Sequence, residues 1–162
     1  MTDIGSDLTD LEQAKKILAD GEYTCVLCKS SPENGDAGKA ADTVCTVMTS
    51  RDRGVAPLVK WLSGGTDISG FSAADRVVGK AAALLFLPGG VKAVYVEVMD
   101  EQAQRILSAR GVDVSFGRKV PRILNRTGTG TCPMEEAVAQ INDPAAALPA
   151  IRKKIGELHS KP

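Results

Sequence analysis

Aromatic side chains are scarce: one Trp, two Tyr and three Phe, or 4% of 162 residues. That shortage argues against a protein that stacks successive bases of single-stranded nucleic acid. No sign of charge is in excess, with 20 Lys+Arg against 20 Asp+Glu, so an extended basic face for nucleic acid is not expected. Long apolar runs are missing too. The most apolar stretch, Ala81 to Leu87, stops at Pro88-Gly89-Gly90, well short of the ~18–20 residues a membrane-spanning helix requires. Histidine occurs once, as His159. Four cysteines (Cys25, Cys28, Cys45 and Cys132) are too few for a disulfide framework in a chain of this size. The acidic start MTDIGSDLTDLEQ lacks the basic and apolar segments of a secretory signal. A cytoplasmic protein with reduced thiols is the expectation.

What is present is ordinary globular composition, 43% hydrophobic and 25% charged. The length predicts one domain over residues 1–162, with a flexible hairpin loop at 30–42 around Asn34-Gly35 and a short tail at 159–162. Asp7 can cap a first helix that carries Leu8, Leu11, Ile17 and Leu18 at helical spacing and stops at Gly21. Tyr23–Lys29 and Thr43–Ser50 read as the two strands of a hairpin. Gly54–Ser63 reads as a helix. Phe71–Leu87 reads as a second one, capped by Ser72 and apolar nearly all round in its later half. Strand Val91–Val98, helix Glu101–Ala109 and strand Val112–Phe116 follow. Arg122–Asn125 fits a strand or a turn, Met134–Ile141 a helix, and Pro144–Leu158 a last helix, whole or broken at Pro149. This order predicts an α/β fold, a three-layer α/β/α sandwich around a mixed sheet of about five strands or fewer.

Three phrases carry a family resemblance: YTCVLCK at 23–29, GGTDISGFSAADRVVGKAAAL at 64–84 and LNRTGTGTCPME at 124–135. Together they resemble the bacterial family of domain of unknown function 1893, over roughly Leu8 to Ile155. The element order resembles the cytidine-deaminase-like superfamily. The resemblance implies the fold but brings no established activity. Deaminases hold zinc with a His or Cys plus a Cys-x-x-Cys pair and use a nearby Glu as proton shuttle. This sequence has no His-x-Glu or Cys-x-Glu, and Met99-Asp100-Glu101-Gln102 stands where the cysteine pair would be expected. Neither a metal site nor a cofactor is therefore expected. A homodimer is expected by resemblance alone.

The strongest local signal is Arg126-Thr127-Gly128-Thr129-Gly130-Thr131-Cys132-Pro133. Glycines allow main-chain N–H groups to turn inward, threonines add hydroxyls, Arg126 adds a positive charge, and a helix follows. Those parts suit a phosphate or carboxylate, although the P-loop pattern is absent. The competing reading is a turn that caps a helix and binds nothing. Cys132, at the helix start, is either a nucleophile or a filler of the cap. On the expected helix 71–87, Arg76 and Lys80 share a face four residues apart, Gly79 permits close approach, and Asp75 and Lys80 offer polar contacts to a ligand. The alternative there is a solvated stripe. Cys25 and Cys28, three apart on a strand, should point to opposite faces and act as core fillers rather than metal ligands. Cys45 should pack on the partner strand. Glu135-Glu136 should complement the N-terminus of their own helix.

These readings combine into one functional expectation. The protein binds a nucleotide-like or other anionic small molecule. If it is an enzyme, it uses Cys132 as nucleophile, with Lys80, Asp75 and turn amides in support and no metal. The ligand-binding set is Arg126, Thr127, Gly128, Thr129, Gly130, Thr131 and Gly79. The second reading is a regulatory or interaction module on the same scaffold without turnover, and the third a zinc deaminase with unusual cysteine ligands.

Overall fold

The computed structural model describes residues 9–32, 43–124 and 128–160. The first helix, α1 (Asp10–Asp20), begins at Thr9 rather than Asp7, which lies outside the described residues. Thr9 and Glu12 form a reciprocal capping box: the Thr9 hydroxyl accepts from Glu12 N–H, and the Glu12 carboxylate accepts from Thr9 N–H.

Strands β1 (Cys25–Pro32) and β2 (Thr43–Ser50) pair antiparallel as the expected hairpin. Ser30–Pro32, expected in the loop, extend β1, and residues 33–42 lie outside the described residues. Helix α2 (Ala56–Ser63) follows, with Pro57 in its first turn, where a missing N–H costs nothing.

The next segment departs from the expectation of one long helix over 71–87. Residues Ser72–Val78 form strand β3, and only Lys80–Gly89 form helix α3. Ala73-Ala74-Asp75-Arg76 has helix-favouring composition, but tertiary context overrides that preference. β3 is the middle strand of a five-stranded sheet ordered β2-β1-β3-β4-β5. It pairs antiparallel with β1 and parallel with β4 (Ala93–Asp100), which in turn pairs parallel with β5 (Asp113–Val120). Ala73 and Ala74 are both fully buried, one toward each face. Small side chains there let helices approach the sheet from both sides, so alanine serves a strand.

Helix α4 (Glu101–Ala109) links β4 to β5, α5 is a short turn of helix (Pro133–Ala137), and α6 (Pro144–Ser160) closes the chain. α5 is shorter than the expected 134–141 helix, whereas α6 runs through Pro149 without breaking. β5 continues to Val120, beyond the expected Phe116. The segment expected as strand or turn at 122–125 contributes one antiparallel bridge, Leu124 to Thr131.

Two apolar clusters form. Ala14 and Leu18 of α1 pack with Val26, Cys28 and Ala74, flanked by Tyr95. The larger cluster gathers Leu27, Ala73, Val94 and Val96 of the sheet with residues of α2, α3, α4 and α6. Sheet residues of the two clusters alternate along β1, β3 and β4, as period-two side chains on opposite faces require. α3 is the hub of the larger cluster: Ala81 through Phe86 are all buried, and the helix packs on α2, α4, α5 and α6. Gly90, at φ 77°, ends it in the left-handed region that glycine tolerates best. No helix among the described residues is long and apolar enough to cross a membrane.

Candidate functional site

The parallel strands β3, β4 and β5 all end on the same side of the sheet. Open α/β sheets place ligands at the carboxyl ends of such strands. Here that rim holds a polar cavity of about 200 Å³. Lys80 enters it from the start of α3, Asp100 and Gln102 from the start of α4, Arg122 from the segment after β5, and Thr131 and Glu135 from the α5 region. Of the residues expected to bind or catalyse, Lys80 and Thr131 meet here. Asp100, Glu135 and Arg122 were not among the candidates.

Glu135 organises the cavity. Its carboxylate accepts from the main-chain N–H of Lys80 at 2.7 Å and of Ala81 at 2.8 Å. The first turn of a helix has amides without intrahelical acceptors and a partial positive charge, and Glu135 satisfies both for α3. The expectation that Glu135 serves its own helix named the right physics and the wrong helix. Gly79 makes the contact feasible, because a Cβ at that position would fall on the Glu135 carboxylate. Burial pushes the Glu135 carboxyl above its ordinary range and the nearby Asp100 charge adds to this, while the two amides and the Lys80 charge pull it down.

Lys80 is only 5% exposed. Among the described residues its ammonium has one hydrogen-bond acceptor, the Ala139 carbonyl at 3.2 Å, and no ion-pair partner. A buried ammonium carries three N–H donors; among the described residues one of them meets an acceptor, and the charge is offset at longer range by Glu135. Asp100, also buried, accepts from Ala103 N–H and caps α4.

Asp75 and Arg76 lie on β3, not on a helix, so the shared Arg76–Lys80 face does not exist. Arg76 points to the α1 side. Its guanidinium donates to the carbonyls of Leu18, Gly21 and Tyr23 and to Glu97. It closes the C-terminal end of α1 and is a structural residue. Asp75 is buried beside Cys25, its cross-strand partner, with which it shares a side-chain hydrogen bond. Burial pushes the Asp75 carboxyl up to about 7 against opposing hydrogen bonds from Val77 and Arg76 amides and from Cys25. It lines none of the cavities described here.

In the turn, Gly128 adopts φ 72°, and Gly128 and Thr129 are exposed. The Cys132 amide, one of those expected to face a ligand, donates instead to the Ile123 carbonyl at 3.3 Å. Arg126 and Thr127 lie outside the described residues. Cys132 caps α5 without a side-chain hydrogen bond and opens on a different, apolar cavity of about 620 Å³, with Val77, Leu124, Met134 and Leu158. The expected partnership of Cys132 with Lys80 therefore spans two cavities. Cys25 and Cys28 are buried and separated by strand alternation as expected, whereas Cys45 is exposed and reaches the Cys28 thiol diagonally across the hairpin.

The zinc of a deaminase does not fit these residues. The start of α3 presents an ammonium, Lys80, and a carboxylate already committed to two amides; the start of α4 presents Asp100, committed to Ala103. Among the described residues no Cys or His lines this cavity, and no group of three His, Cys, Asp or Glu has metal-holding geometry.

Fold and site thus define an α/β protein with a charged polar pocket at the carboxyl ends of three parallel strands. Residues 13–155 match the family described as domain of unknown function (DUF1893), and the chain belongs to that family. It is similar in fold to a solved structure, the DUF1893 family protein TM1506 from Thermotoga maritima. The two are 22% identical, with a TM-score of 0.72, covering 95% of this chain and 92% of that one. The comparison with curated proteins returned no match.

Proposed function

We propose that this chain is a cytoplasmic protein that binds a small anionic, nucleotide-like molecule in the polar cavity, on a three-layer scaffold of the cytidine-deaminase-like type. The observation that supports this reading most is Lys80: a buried ammonium with, among the described residues, a single carbonyl acceptor, facing a cavity that three other chain segments furnish with polar groups. Burying a charge costs several kcal/mol unless it is paired, and an anionic guest supplies the missing partner. Gln102, Thr131 and Arg122 add donors around it.

Binding without turnover is the reading we favour. Glu135, whose proton affinity burial raises, is held by two helix amides. A group so held is poorly placed to exchange protons with a substrate. The Gly128–Cys132 segment then serves as a wall through Thr131 rather than as the anion cradle itself.

The test pairs wild type with Lys80→Met, which keeps the side-chain length and removes the charge. Ligand-observed NMR against nucleosides, nucleoside monophosphates and small dicarboxylates should show saturable binding of at least one class by wild type. Loss of that binding in the variant, with the folded state retained, supports the reading. Equal binding by both proteins, or none by wild type, overturns it.

A further inference from the structure

Lys80 and Gln102 line not one cavity but two. Beyond them, between α3, α4 and the α5–α6 connection, a cleft of about 360 Å³ is lined by Arg105, Arg110 and Asn142 together with Leu84 and Ile106. Among the described residues, three cations and no carboxylate line this cleft. Among the described residues, neither Arg105 nor Arg110 has a side-chain hydrogen bond or an ion pair. In a chain whose charges balance to zero, a concavity with three positive groups and no negative one is a local departure from the whole.

We propose that this cleft is a phosphate-accepting subsite, and that it takes the phosphoryl group of the ligand whose remainder occupies the polar cavity. The inference rests on the binding reading above. It adds the chemical class of the guest, a phosphate monoester. A monoester is close to a dianion at neutral pH, with a second pKa of about 6, and so matches several cations better than a monocarboxylate does. Arginine forks donate in the bidentate geometry that phosphate oxygens accept. The carboxamides of Gln102 and Asn142 supply further donors. Because Lys80 and Gln102 stand in the wall common to both cavities, one molecule can hold its phosphate on the arginine side and its polar remainder on the Glu135 side.

The probes are inorganic phosphate and a nucleoside 5′-monophosphate, followed by ³¹P line broadening at fixed ionic strength. Wild type should broaden both resonances saturably. Arg105→Ala combined with Arg110→Ala should weaken both by about tenfold or more. Both residues are exposed, Arg105 on α4 and Arg110 at its C-terminal cap, so the fold is retained. Arg152→Ala combined with Lys153→Ala removes the same charge from the exposed face of α6 and should change neither. The monoester should bind about tenfold more tightly than inorganic phosphate, because only it reaches the second cavity. Absence of saturable broadening, or equal weakening by the two double variants, overturns the subsite. Equal affinity for the two probes overturns its union with the polar cavity. Binding of non-phosphorylated ligands that depends on Lys80, with no response to phosphate, would sink this inference and leave the binding reading intact. Phosphate binding without any ligand in the polar cavity would overturn the binding reading and the union of the two cavities, leaving the subsite alone.

Discussion

The Glu135 carboxylate and the Lys80 main-chain N–H, 55 residues apart in sequence, meet at 2.7 Å. Through that contact the short α5 closes the first turn of the buried α3, and the polar cavity acquires two of its walls. The consequences begin with Gly79.

Replacing Gly79 by Ala should cost about 1–3 kcal/mol. The three atoms closest to the new Cβ all belong to the Glu135 carboxyl group, which would be forced off the helix amides. Glu135→Ala alone should cost about 1–2 kcal/mol as a lost cap. In the Glu135→Ala background, Gly79→Ala should lose most of its cost, because the obstructing group is gone. Urea denaturation of the four proteins measures the coupling. Additive costs would show that Gly79 is needed for another reason.

Asp75 makes stability fall as pH rises. Burial holds its folded-state pKa up at about 7, above the ordinary carboxylate range it has when unfolded. Between those two values the folded protein binds the extra proton, so the stabilising contribution is complete at low pH and is lost as pH climbs toward and through about 7. Denaturation midpoints compared between pH 5 and pH 8 should therefore decline for this group. Asp75→Asn, which cannot ionise, should flatten that decline and be the more stable protein at pH 8. A variant with an unchanged pH profile would remove Asp75 as the cause.

Arg76 should act on α1 rather than on the ligand. Its guanidinium donates to the Leu18 and Gly21 carbonyls at the end of that helix and to Tyr23 beyond it. Arg76→Ala should cost about 2 kcal/mol, and hydrogen exchange should accelerate in α1 more than in α3. Ligand affinity should stay as in wild type. Uniform loss of protection across the sheet would contradict this local role.

The four thiols should fall into two reactivity classes. Cys45 is exposed and Cys132 half-buried. Cys25 and Cys28 are buried, and burial pushes the Cys28 thiol up to about 12 and the Cys25 thiol upward as well. Because the thiolate is the reacting species, a maleimide at pH 7 should label Cys45 and Cys132 in the native protein. It should reach the other pair only after unfolding. Mass spectrometry of peptides after timed labelling reads this out, and early modification of Cys25 would refute the burial.

Much of the architecture is written in local pattern. The hairpin, the helix Glu101–Ala109 and the stop at Gly90 of a helix that runs two residues beyond the expected Leu87 follow from β-branched runs, apolar spacing and breakers, which act within a few residues. The absence of a Cys or His set at the two helix starts is equally a property of the chain. Family membership is legible in its longer phrases and is borne out over residues 13–155. The central strand is different. Ala73-Ala74-Asp75-Arg76 has no intrinsic reason to be extended, and becomes a strand because β1 and β4 offer it hydrogen bonds on both edges while helices need small residues beneath them. The site depends on the same non-local physics. Lys80, Asp100, Arg122 and Glu135 are scattered over more than fifty positions and share no motif. They become neighbours only when three parallel strands end on one side and a carboxylate from one helix finds the free amides of another.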